Sequence, residues 1–152
     1  MDMDAKATLA EYTASTDELV HEIKRVPNIE DFLKSNDENM IRQSLSEHLN
    51  MLLLQRGINR ADVVRRSLLD RNYVYQIFSG QRTPSRDKLI AVAFGLALSV
   101  DETQKMLKLS GNRELYPRDE RDALIFFALH KDKKIIELNE MLDSHGFDVL
   151  SK

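Results

Sequence analysis

Cysteine and tryptophan are absent from the 152-residue sequence, and glycine and proline are scarce, at 5 and 3 residues. Without cysteine the chain has no disulfide, no thiolate zinc site, no iron–sulfur cluster and no cysteine nucleophile. So few turn-forming residues argue against many short strands and favour helices. No apolar run approaches the roughly 20 residues of a membrane-spanning helix, and the acidic start lacks the apolar stretch of a secretory signal. We therefore expect a cytoplasmic protein that does not bind a membrane.

Charge is distributed unevenly along the chain, although the net charge is only −3. Residues 41–110 carry 11 basic and 6 acidic side chains, whereas residues 1–40 carry 4 basic and 10 acidic ones. A basic middle segment is typical of a surface that binds nucleic acid. Patchy charge is also common in helical proteins, so the charge pattern alone leaves both interpretations open.

Apolar residues recur at helical spacing and predict an all-α fold of eight or nine helices. Two short helices are expected before residue 38, with Ser15 and Asn28 as their N-caps. A long helix is expected to begin near Asn39, to carry Ile41 on its apolar face and to end at Gly57.

Four more helices are expected in the second half of the chain. Ser85 and Ser99 have the spacing of N-caps, and Pro117 suits the first turn of a helix, where its missing N–H costs nothing. The helix after Pro117 is apolar around most of its circumference, so we expect Phe127 and its neighbours to be well buried. The last helix is expected over about residues 133–145.

Two short helices are predicted between residues 59 and 80, with Asn59 and Asp70 as their N-caps and Leu68 and Leu69 as the joint. The second helix has an apolar inner side of Val74, Ile77 and Phe78. Its other side carries the polar residues Arg71, Asn72, Tyr75, Gln76 and Ser79. Arginine matches the paired acceptors of guanine, and asparagine or glutamine matches the acceptor and donor of adenine. Such a helix is typical of one that enters the major groove of DNA.

Residues 41–109 resemble the lambda-repressor-like helix-turn-helix family, also called the XRE or Cro type. Three stretches carry the resemblance, namely Ile58 to Val64, Val74 to Gly80 and Arg82 to Leu89. The resemblance implies a five-helix DNA-binding domain over residues 39–111. It would be flanked by an acidic helical extension at 1–38 and by a C-terminal helical hairpin at 112–152, which is a candidate for dimerisation.

The resemblance also implies a function: a transcriptional regulator that binds double-stranded DNA as a homodimer and reads the major groove with the helix Asp70–Ser79. By resemblance, the base-reading residues are Arg71, Asn72 and Gln76. The residues that contact the DNA backbone are Arg60, Ser79 and Arg82. Three further arginines are interpreted as solvated or salt-bridged: Arg65, Arg66 and Arg86.

The sequence departs from the family pattern at several positions. Leu68 stands where the family usually has glycine, and a left-handed backbone would be strained for leucine, so we expect the turn to be reshaped. Arg60 stands where glutamine is usual, but arginine also reaches phosphate. Tyr73 and Tyr75 are bulkier than usual, and contact with DNA and packing against the protein remain alternatives for both.

A module that binds a protein partner on the same scaffold is the alternative function. In one version, the ten acidic side chains of residues 1–40 mask the basic surface until a partner removes them. Catalysis has no comparable support, because the four histidines lie on four different predicted helices at no metal-ligand spacing, and no glycine-rich phosphate loop is present. We therefore expect no catalytic residues, no metal and no cofactor.

Overall fold

The computed structural model describes residues 15–40 and 44–151, except for the side chain of Glu38. Every regular element in these residues is helical, so the all-α prediction is confirmed. The chain divides into two compact units, residues 1–43 and residues 44–152. The first 14 residues of the acidic extension lie outside the described residues, as does Ile41.

The first unit contains the two short helices α1 (Thr16–Arg25) and α2 (Ile29–Ser35), followed by a single 3-10 turn at Asp37–Asn39. Both predicted N-caps are present: the side chains of Ser15 and Asn28 accept backbone N–H groups of the first helical turns. The side-chain amide of Asn36 donates to the Glu22 carboxylate at 2.9 Å and so links the two helices.

The second unit contains seven helices. These are α3 (Leu45–Arg56), α4 (Arg60–Ser67), α5 (Arg71–Ser79), α6 (Arg86–Gly95), α7 (Val100–Leu109), α8 (Glu120–His130) and α9 (Ile135–Ser144). Helix α6 lies at the centre of the core, and all its residues from Leu89 to Gly95 are buried. None of the helices in the described residues combines the length and apolarity needed to cross a bilayer.

Three sequence predictions about helices are wrong in detail. Helix α3 begins at Leu45 and not near Asn39, because Ser44 and Glu47 form a reciprocal capping box there. Helix α8 begins at Glu120 and not at Pro117, because the Asp119 side chain caps it by accepting the Asp122 N–H. Phe127 is 45% exposed, since the inward face of α8 is formed by other residues.

Helices α4 and α6 cross closely at Gly95. A side-chain carbon placed at Gly95 would lie 2.8 Å from Val63 Cγ1 and 3.0 Å from the Val63 carbonyl oxygen. Only glycine leaves the space that this crossing needs. Because this part of α6 is fully buried, the contact fixes α4 against the core.

Two arginine–aspartate pairs fasten α8 to the start of α6. Arg86 makes a bidentate contact with Asp122, at 3.1 and 2.9 Å, and Arg121 makes one with Asp87, at 2.9 and 3.0 Å. Because the two pairs run in opposite directions between the helices, they fix the register of α8 on α6. Arg86 is thus salt-bridged, which was one of the two states expected for it.

Candidate nucleic-acid interface

Helix α5 begins and ends where the sequence predicts. The Asp70 side chain accepts the Tyr73 N–H at 3.2 Å, and Gly80 ends the helix with a left-handed φ of 85°. Val74, Ile77 and Phe78 are almost completely buried, as predicted for the inner side. A capped helix anchored by these three side chains holds its outer face in a fixed orientation.

The turn between α4 and α5 is left-handed at Leu68, with φ 62° and ψ 21°. The expected reshaping is therefore wrong, and the chain accepts a conformation that costs a residue with a side chain about 1–2 kcal/mol. Two contacts stabilise this left-handed turn. The Leu69 N–H donates to the buried Ser67 hydroxyl at 3.2 Å, and the Leu68 side chain packs against the core.

The outer face of α5 presents the residues predicted to read bases. Arg71 and Asn72 are exposed in its first turn, and Gln76 is half-buried one turn later. Gln76 already has a partner, since its side-chain oxygen accepts from Arg82 Nε at 2.8 Å. The Ser79 hydroxyl donates to the Gln76 carbonyl at 3.1 Å. Arg82 and Ser79, which are predicted to contact the DNA backbone, thus both contact Gln76, which is predicted to read a base.

The two tyrosines of α5 stack with arginines. The guanidinium of Arg60 lies 4.5 Å from the centre of the Tyr75 ring, and that of Arg71 lies 5.7 Å from it. Arg71 also donates to the Tyr75 hydroxyl at 3.2 Å. Arg82 lies 5.2 Å from the centre of the Tyr73 ring. Both rings are half-buried against the core, so they hold three cations in place on the surface.

A shallow depression of about 270 Å³ lies between the start of α4 and the outer face of α5. Its lining includes five of the predicted residues and adds Gln81, which the sequence pattern did not single out. The sequence could have indicated Gln81, because it directly follows Gly80 at the end of α5, and a residue just after a helix end lies near that helix.

The three arginines on this surface form no ion pair with the carboxylates that the structure describes. Within residues 15–40 and 44–151, no ion pair involves Arg60, Arg71 or Arg82. The nearby Asp62 is held in the α4 capping box and by Arg65, and these hydrogen bonds lower the pKa of its carboxyl. Arg60, Arg71 and Arg82 are therefore available to an anion such as phosphate.

All eight residues predicted to contact DNA lie on one surface, which we call the α5 surface. It consists of Arg60, Arg71, Asn72, Tyr73, Tyr75, Gln76, Ser79 and Arg82. No group of three or more potential metal ligands occurs in the described part of the chain. Neither a family model nor a curated protein nor a solved structure matches this chain.

Proposed function

We propose that the protein is a sequence-specific DNA-binding transcriptional regulator of the lambda-repressor-like helix-turn-helix type. In this proposal, helices α3 to α7 form the five-helix domain, and α4 and α5 form the helix-turn-helix pair. The α5 surface carries the proposal, because it combines exposed base-matching side chains with arginines that form no ion pair with any described carboxylate.

Arg60 and Arg82 supply the affinity in this mechanism. They lie on opposite sides of the outer face of α5, on Tyr75 and Tyr73 respectively. Contacts with phosphates on both walls of a groove release counterions, so binding weakens steeply as salt rises. The tyrosine rings limit the rotamers of the two arginines, which lowers the entropy lost when they meet phosphate.

Arg71, Asn72 and Gln76 supply the specificity. The first two project from the N-terminal turn of α5, the part of a recognition helix that reaches base edges. Arg71 pairs with guanine and Asn72 with adenine. Gln76 enters the groove together with Arg82, since the two side chains are hydrogen-bonded. Gln76 therefore reads a base while Arg82 contacts the adjacent phosphate.

A homodimer on a palindromic operator completes the proposal. Two recognition helices must lie about 34 Å apart to enter successive major grooves on one side of the duplex. Helices α8 and α9 are the candidates for the dimer contact, since they carry the exposed apolar residues Phe127 and Ile136.

Selection of bound sequences from random DNA tests specificity and half-site spacing together. We expect a palindrome with half-sites 10–10.5 base pairs apart, or a multiple of that spacing. Fluorescence anisotropy on the selected site then measures affinity across a salt series. A slope of log affinity against log salt near zero would contradict the proposal.

A protein-interaction module is the second candidate, and one observation favours it. In the first unit, four large apolar side chains are 43–46% exposed: Val20, Ile23, Ile29 and Leu33. Such residues are typical of a surface that binds a partner. This alternative has two forms: the first unit masks the α5 surface, or it binds a partner independently of that surface. Deletion of residues 1–36 distinguishes them. A gain in DNA affinity indicates masking of the α5 surface, whereas unchanged affinity with a lost protein partner indicates a separate docking role.

A further inference from the structure

A cavity of the second unit lies away from the α5 surface, between the end of α4 and the turn that joins α8 to α9. It encloses about 460 Å³, which is within the range of sites that bind small molecules. Its walls include Phe94, Leu98, Leu129 and Ile135, all less than 10% exposed. An apolar group that enters the cavity thus meets preformed apolar walls.

Four cations line the same cavity: Arg65 and Arg66 from the end of α4, and Lys133 and Lys134 from just before α9. Asp132 is the single acidic residue in the lining. Arg65 pairs with Asp62 outside the cavity. The other three cations form no ion pair with any described residue. The cavity therefore carries an excess of positive charge next to apolar walls.

We propose that this cavity binds a small organic anion that has an apolar body and one acidic group, such as a carboxylate. The apolar body would lie against Phe94, Leu98 and Leu129, where its burial gives the favourable free energy. The acidic group would face Arg66 and Lys133, where charge-assisted hydrogen bonds fix its orientation. A neutral ligand would leave these cations partly desolvated without a partner, and inorganic phosphate would leave the apolar walls unused.

The inference is independent of DNA binding, since none of the residues of the α5 surface lines this cavity. Its failure would leave the proposed regulator intact. Conversely, a protein that binds no DNA can still bind the anion. Anion binding is therefore measured on the full chain without nucleic acid.

Titration with 2-naphthoate, followed by amide chemical shifts, tests the proposal directly. The neutral 2-naphthamide has nearly the same shape, so it isolates the effect of charge, and octanoate replaces the aromatic body by an aliphatic one. We expect saturable shifts for both carboxylates at residues that line the cavity. We expect 2-naphthamide to bind roughly tenfold more weakly. Equal affinity of naphthoate and naphthamide, or shifts spread over the whole surface, would overturn the proposal.

Two variants locate the charge contact. Arg66→Gln and Lys133→Gln each remove one cation of the cavity, and Arg118→Gln removes an exposed cation outside it. We expect the first two to weaken 2-naphthoate binding roughly fivefold to tenfold and to leave 2-naphthamide binding unchanged. Arg118→Gln should change neither. Equal weakening by all three variants would mean that net charge attracts the anion, and the assignment of this cavity would be wrong.

Discussion

The Ser151 hydroxyl donates a 2.6 Å hydrogen bond to the backbone carbonyl of Ser67, 84 positions earlier in the chain. Both residues are at most 3% exposed. Ser67 is the last residue of α4 and precedes the left-handed Leu68. The Asn139 side chain of α9 holds the same tail by bonding Leu150 N–H and the Ser151 carbonyl. The C-terminal tail thus supports the turn that leads into α5.

Replacing Ser151 by alanine should therefore destabilise the protein by about 1–2 kcal/mol, because a buried carbonyl loses its donor. Urea unfolding measures this change. Ser144→Ala is the matched control, since the exposed Ser144 hydroxyl has only local partners, the Met141 carbonyl and the adjacent His145 ring. If the two variants have the same unfolding midpoint, the contact between the tail and the α4–α5 turn contributes nothing measurable.

Asp122→Asn should cost much more, about 3 kcal/mol, because it leaves the charge of Arg86 without its partner in a largely buried site. Asp122 is 2% exposed and also accepts the Tyr116 N–H at 3.0 Å. Burial raises the pKa of this carboxyl, but the hydrogen bonds from Arg86 and Tyr116 outweigh burial and leave the pKa below its usual value. Thermal or urea unfolding gives the cost.

The exposed Asp143 near the end of α9 provides the control for Asp122. Asp143→Asn should leave the unfolding midpoint unchanged, since no described residue forms an ion pair with Asp143. A double-mutant cycle with Arg86→Gln then isolates the pair. Additive costs in that cycle would show that Arg86 and Asp122 do not stabilise each other.

His48 makes stability depend on pH. Its side chain is 4% exposed on α3, and burial lowers its pKa below 6.5, with a further lowering by Lys105 and an opposing effect of Glu102. The unfolded chain therefore binds a proton at His48 more tightly than the folded chain does. The contribution of His48 to stability is complete above about pH 6.5 and is lost as pH falls below that value.

Urea midpoints between about pH 7.5 and 5.5, above the range where carboxylates titrate, should fall for the natural protein and fall less for His48→Gln. His130→Gln is the control substitution, since it removes an exposed histidine from another helix. The His48 ring resonances measure its pKa directly in the folded protein. A titration midpoint at or above 6.5 would contradict the prediction.

The helix caps were predictable from sequence because a cap is a local interaction. Asn59, Asp70 and Ser99 each bond to a backbone N–H three residues later, so the pattern is visible within one turn. The start of α3 was missed because Asn39 and Ser44 both qualify as caps. In the structure Ser44 is the cap, because its N–H also donates to the Glu47 side chain and completes a capping box.

Contacts between distant positions were not predictable in the same way. The grouping of Arg60 with Tyr75 and of Arg82 with Tyr73 depends on how α4 and α5 cross, which a single sequence does not specify. The same holds for the bond from Ser151 to Ser67 and for the partner of Arg86. The polarity of α5 predicted its outer face, but not which of the side chains there are already hydrogen-bonded.

Gly95→Ala should destabilise the protein by about 2 kcal/mol, although alanine favours helices over glycine by about 1 kcal/mol. The new methyl group would meet Val63 at 2.8 and 3.0 Å. Gly57→Ala is the comparison, because Gly57 has a φ of +64° and nothing within 4 Å. Its cost of about 1–2 kcal/mol comes from the backbone alone. A Gly95→Ala protein more stable than the natural one would show that α4 and α6 adjust freely.

Arg71→Ala should weaken binding to the selected DNA site by about 1–3 kcal/mol and relax the preference at one base position. Arg60→Ala should instead weaken binding to all sequences alike and reduce the salt slope by about 1, as expected for a phosphate contact. Arg118→Ala, an exposed cation just before α8, should change neither quantity. Anisotropy on the selected site and on single-base variants distinguishes these effects. If Arg71→Ala lowers affinity equally for every variant site, then Arg71 contacts the DNA backbone, and the α5 surface does not read bases through it.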